Sequence, residues 1–148
     1  MACGTVKGSA VATCVAIEID RVSGTIKVLE VCEAFECGPI VNPDNLTSQV
    51  QGCIMMGLGG ALREGMEFAD GKILNPDFYG YQVPRFQDVP DIEVHLVENR
   101  DIPSAGGGET PIMAVAPAIG NAVFAATGKR LRSMPLQKAL RENRADGT

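Results

Sequence analysis

The sequence has 148 residues, the size of one domain, and its 45% hydrophobic and 21% charged content excludes a disordered chain. Thirteen basic against eighteen acidic side chains leave a net charge of −5, which excludes the basic surface that a nucleic-acid backbone requires. No apolar run approaches the roughly 18 residues of a membrane span, and the opening MACGTVKGSA lacks the basic and apolar regions of a secretory signal. The expectation is a cytoplasmic single domain over 1–148, with a terminal helix and polar tail over 135–148 and neither nucleic acid nor a membrane span involved.

In chain order, residues 11–20 alternate with Val11, Thr13, Val15, Ile17 and Ile19 on one side, the pattern of a strand. Ser23-Gly24 turns the chain. Residues 25–35 form a second strand whose phase slips at Val28-Leu29, as a bulge makes it. The short connection makes the two an antiparallel hairpin. Cys14 and Cys32 fall inside these strands and are expected to be small buried hydrophobes. With Cys3, Cys37 and Cys53 they make an odd count, which fits reduced thiols better than disulfides. Cys32 and Cys37 have the first spacing of a plant-type iron–sulfur loop, but the third ligand is missing. Without a CxxC, and with His95 the sole histidine, a tetrahedral zinc site is not expected.

Asn42-Pro43-Asp44 reads as a helix start: an N-cap, a proline at N1 and an acid in the first turn. Leu46, Val50, Cys53, Ile54, Leu58, Ala61 and Leu62 follow at helical spacing. Gly52, Gly57, Gly59 and Gly60 interrupt this helix and together cost it roughly 2–4 kcal/mol, so close packing is expected to compensate. Asp70-Gly71 signals a hairpin turn, and the stretch from Tyr79 to Pro90 reads as loop. Residues 92–97 form a strand with Ile92, Val94 and Leu96 inward and His95 toward solvent. A helix through Ala118 to Ala126 is closed by Gly128, with Pro117 either its N1 or a kink in a helix starting near Pro111. A short amphipathic helix follows from Pro135 to Arg144.

Gly106, Gly107 and Gly108 precede a helix, where backbone N–H groups can face an anion. Glu109 comes next. It reads either as a first-turn acid complementing the helix dipole or as a general base in a cleft walled by bare backbone. Gln49, three residues before Gly52, is either an exposed helical glutamine or an amide that hydrogen-bonds a cofactor.

GGGETP with APAIGNAVFAATGKRLRSMPL resembles the C-terminal part of the molybdopterin-binding large subunit of the xanthine dehydrogenase and aldehyde oxidase family. It looks nearest to the branch of isoquinoline 1-oxidoreductase beta subunits and nicotinate-type hydroxylases. FECGPIVNPDNLTSQVQGCIMMGLGGAL, GKILNPDFYGYQVPRFQDVPDIEV and ACGTVKGSAVATCVAIEID agree with it, in the family's order and over nearly the whole chain. The resemblance implies an oxidoreductase acting on an aldehyde or N-heterocycle with water-derived oxygen. Glu109 matches the catalytic glutamate, which would deprotonate the hydroxo ligand on molybdenum, its pKa raised toward neutrality by partial burial. Gln49 matches a pterin contact, and Gly106, Gly107 and Gly108 would lie near the metal and pterin. The implied cofactor is a molybdenum–pterin in the cytosine dinucleotide form, with iron–sulfur clusters on a partner chain.

That family's subunit is several times longer, so this chain reads as a fragment or one piece of a split subunit, holding the base but not the whole reaction. Its partners would be the remainder of the large subunit and an iron–sulfur subunit. Two other readings are a non-catalytic assembly module that docks on a larger molybdopterin-binding partner, and an iron–sulfur carrier built on Cys32 and Cys37. The expected fold class is α+β, with antiparallel strands and hairpins packed against a glycine-rich helix and C-terminal helices. By resemblance it is the second molybdopterin-binding domain of molybdenum hydroxylases.

Overall fold

A computed structural model describes residues 1–145, so the polar tail expected at 146–148 lies outside the described residues. Four strands form one sheet in the order β1 (Ala2–Val6), β2 (Ser9–Ile19), β3 (Ile26–Glu36) and β6 (Asp91–Val97). The hairpin of β2 and β3 is antiparallel as expected. Its register steps from Ala16↔Glu30 to Ile17↔Val28, which leaves Leu29 as the bulged residue. Strand β1 has no counterpart in the sequence reading. It is made by Lys7 and Gly8, whose positive φ values of 53° and 81° build the tight turn that matches strand twist.

Helix α1 (Pro43–Leu62) starts where the capping residues place it, Asn42 Oδ1 accepting from the Asn45 N–H at 2.9 Å. It carries the chain across the sheet to β6, which pairs with β3 in parallel, the one such pair in an otherwise antiparallel sheet. Strands β4 (Phe68–Ala69) and β5 (Lys72–Ile73) form the small hairpin announced by Asp70-Gly71, both residues with positive φ.

A 3-10 turn over Thr110–Ala114 runs directly into α2 (Val115–Thr127), which Gly128 closes at φ 72°. Pro117 therefore lies within the first turn of α2. The continuous stretch Thr110–Thr127 has 18 residues at a mean hydropathy of 1.4, enough by length and composition to cross a membrane, contrary to the expectation of no such run. Its apolarity has a use in the fold, because Val115, Ala118, Ile119 and Val123 are fully buried. Helix α3 (Leu136–Ala145) adds Leu136, Ala139 and Leu140 to the core.

All three helices cover one face of the sheet. Val11, Val31 and Phe35 meet Val50, Ile54, Leu58, Ile119 and Leu140 there. Cys14 and Cys32 are not part of this core. Cys14 is exposed and Cys32 half-buried, both on the opposite face, because alternate residues of a strand point to opposite sides. Cys37 and Cys53 are the buried cysteines.

Candidate functional site

The glycine loop leaves the end of β6, crosses the edge of the sheet beside the β1–β2 turn and enters the 3-10 turn. Its ends are fixed by the Ala105 N–H donating to the Cys37 carbonyl at 2.8 Å and by Thr110, itself buried, whose hydroxyl lies 3.3 Å from the Gly106 carbonyl. Gln49 reaches the loop from α1, its Nε2 donating to the Gly108 carbonyl at 2.6 Å. One turn later on the same helix, the Cys53 thiol approaches the same oxygen at 3.5 Å. The structure thus brings together Gln49, Gly106, Gly107, Gly108 and Glu109, although Gln49 is 59 residues away from Gly108 in sequence.

The three glycines differ. A Cβ on Gly107 would stand 2.6 Å from Leu46 Cδ1 and 3.5 Å from Phe35 Cε1, so the middle glycine is demanded by packing. A Cβ on Gly106 or Gly108 would meet nothing within 4 Å. Packing does not explain these two, whereas a ligand approaching bare backbone would. Lys7, Gly106, Gly108, Glu109 and Thr110 line an open cavity of about 360 Å³. A larger one, about 700 Å³, lies between the end of α1 and α3 and contains none of these residues.

Glu109 is the N-cap of the 3-10 turn, and its side chain makes no capping bond. It is exposed and ion-paired with Lys7 from the β1–β2 turn. The hydrogen bond and the charge of Lys7 hold the Glu109 carboxyl below its ordinary range. The expected rise through partial burial is therefore absent here, because Glu109 is exposed and a cation stands beside it. Lys7 escaped the sequence reading; it reaches Glu109 only because β1 folds back on β2.

A second carboxylate also escaped it. Glu33 projects from β3 into the core with 0% exposure, and Thr13 Oγ1 donates to its Oε2 at 2.6 Å. Its Oε1 is buried without a hydrogen-bond partner. Burial pushes the Glu33 carboxyl up to about 7, the Thr13 hydrogen bond opposing it. Cys53 lies between the two acids: burial raises its thiol, the Gln49 hydrogen bond lowers it, and the charges of Glu33 and Glu109 both raise it. The inward phase of 31, 33 and 35 after the bulge could have revealed Glu33.

Residues 6–90, more than half of the sequence, match the molybdopterin cofactor-binding domain. The chain belongs to this family. Among the relatives of this molybdopterin-binding chain, the isoquinoline 1-oxidoreductase subunit beta of Brevundimonas diminuta is 35% identical over 88% of the chain and 17% of the relative. The aldehyde oxidoreductase molybdenum-binding subunit PaoC of Escherichia coli is 35% identical over 82% of the chain and 18% of that subunit. Quinoline 2-oxidoreductase from Pseudomonas putida 86 shares the fold with a TM-score of 0.81, at 23% identity, over 90% of this chain and 18% of its own. Aldehyde oxidoreductase from Desulfovibrio desulfuricans superposes with a TM-score of 0.77 at 26% identity, over 90% of this chain and 15% of its own. The chain spans less than a fifth of each of these proteins. The α+β architecture and the likeness to molybdenum hydroxylase subunits agree with the sequence reading.

Proposed function

We propose that this chain supplies the base and part of the pterin cradle of a molybdenum hydroxylase that oxidises an aldehyde or an N-heteroaromatic carbon with water-derived oxygen. The observation that carries this reading is the grip of Gln49 on the Gly108 carbonyl, which sets the open backbone of Gly106 and Gly108 beside the Glu109 carboxylate. The molybdenum–pterin group, in its cytosine dinucleotide form, supplies the two-electron redox chemistry when bound. Iron–sulfur clusters on a partner chain would be its electron acceptors.

The chain's own residues hold and move the proton. Gln49 Nε2 is spent on Gly108, which leaves its exposed Oε1 to accept from the pterin. Glu109 takes up the proton at its carboxylate once Lys7 swings away, and exclusion of water by a partner-supplied wall then raises its affinity for that proton. Partners are needed to form that wall. Phe86 and Tyr79, 99% and 95% exposed, belong to a broad apolar arm that the remainder of the large subunit would cover.

The test is Glu109→Gln in the assembled enzyme. Turnover is expected to fall by about 10²–10⁴, the worth of a general base, with molybdenum per mole unchanged. Retained turnover at full molybdenum content would favour the assembly-module reading, in which the Lys7–Glu109 pair is only a clasp on the β1–β2 turn.

A further inference from the structure

The sheet face away from the helices carries a chemical cluster that the molybdenum reading does not use. Cys14 of β2 and Cys32 of β3 are direct cross-strand partners, and Cys32 is in turn paired in register with Glu93 of β6. These three stand in one row across three strands. His95 follows Glu93 by two residues, so it points to the same side, and its Nε2 lies 3.0 Å from Glu93 Oε1. One donor atom each from Cys32, Glu93 and His95 lie within 4.8 Å of one another. Cys14 extends the row as the direct cross-strand neighbour of Cys32, on the same face of the sheet.

We propose that Cys14, Cys32, Glu93 and His95 form a binding site for one tetrahedral divalent cation of the zinc type. The donor set of two sulfurs, one imidazole nitrogen and one carboxylate oxygen suits that ion and is poor for magnesium or calcium, which take oxygen ligands. Metal bonds of about 2.0–2.3 Å bring tetrahedral ligand atoms to about 3.3–3.8 Å apart. The donors of Cys32, Glu93 and His95 must therefore draw together by roughly 1 Å, and Cys14 turns in from the adjoining strand, by rotamer change on a rigid sheet. Binding releases the Cys32 proton. The linear sequence gives no CxxC because a sheet assembles the ligands from three strands, whose contributions are 18 to 81 residues apart. The site is independent of the Glu109 cleft, which opens at the loop edge of the domain.

Titration of the purified chain with cobalt(II), under reducing conditions, tests this. The expected result is one cobalt per chain with thiolate charge-transfer absorption and tetrahedral ligand-field bands, displaced by one equivalent of zinc(II). Cys32→Ala and His95→Ala should each weaken binding by more than the 10–100-fold that loss of an outer-shell partner costs, while Glu36→Gln, on the same face but outside the row, leaves it unchanged. Circular dichroism of each variant confirms the fold. An octahedral spectrum without thiolate bands, or affinity that survives both Cys32→Ala and His95→Ala in folded protein, would overturn the site.

Discussion

Glu33 and Glu109 carry the same carboxyl and both raise the Cys53 thiol, yet their surroundings drive them in opposite directions. Glu33 is sealed in the core with one oxygen unpartnered and titrates at about 7. Glu109 sits at the rim, exposed and clasped by Lys7, and is held below its ordinary range. The glycines divide in the same way. Gly57 and Gly107 are pressed against Val115 and Leu46, whereas Gly60, Gly106 and Gly108 face open space. The difference teaches that burial, not the carboxyl itself, decides which way each acid is driven.

The comparison can be broken first at Glu109, where Glu109→Gln is expected to cost the assembled enzyme about 10²–10⁴ in turnover; an equal loss from a rim residue away from the loop would remove its special status. Glu33 comes next. Its folded pKa of about 7 exceeds the ordinary 4.5, so between these values the folded chain keeps a proton that the unfolded chain has released. Stability is therefore highest below pH 4.5 with respect to this group and falls as pH rises to 7, by on the order of 3 kcal/mol. Denaturant midpoints at pH 5 and pH 8 should show this slope in the native chain and lose most of it in Glu33→Gln.

The glycines sharpen the contrast. A Cβ at Gly57 would stand 2.9 Å from Val115 Cβ, itself buried and unable to retreat. Gly57→Ala should destabilise the chain by about 1–3 kcal/mol. At Gly60 nothing stands within 4 Å, so Gly60→Ala should stabilise the isolated chain by about 0.5–1 kcal/mol through helix propensity. Thermal melts of the pair should move in opposite directions. The smallest effect belongs to Lys7→Met. By removing the charge that depresses Glu109, it should move the acidic limb of the kcat/KM profile of the assembled enzyme to higher pH and leave the melting temperature nearly unchanged.

The local signals in the sequence survive as structure because they need only near neighbours. Asn42-Pro43-Asp44 starts α1, Asp70-Gly71 turns β4 into β5, the slip at Leu29 is a bulge, and Gly128 ends α2. The glycine loop with Glu109 and the position of Gln49 on α1 were likewise readable, as was the family they resemble. Three things required the folded chain. Only the pairing of β1 with β2 carries Lys7 to Glu109; only the parallel addition of β6 to β3 sets Glu93 and His95 beside Cys32; and only the helix layer decides that Glu33 is inside while Cys14 is out. Hydrophobic period and turn chemistry determine where elements begin and which face is apolar. Which polar side chains then meet, and how strongly each is desolvated, depends on strand order and register over long separations, 102 residues for Lys7 and Glu109, which no local pattern encodes.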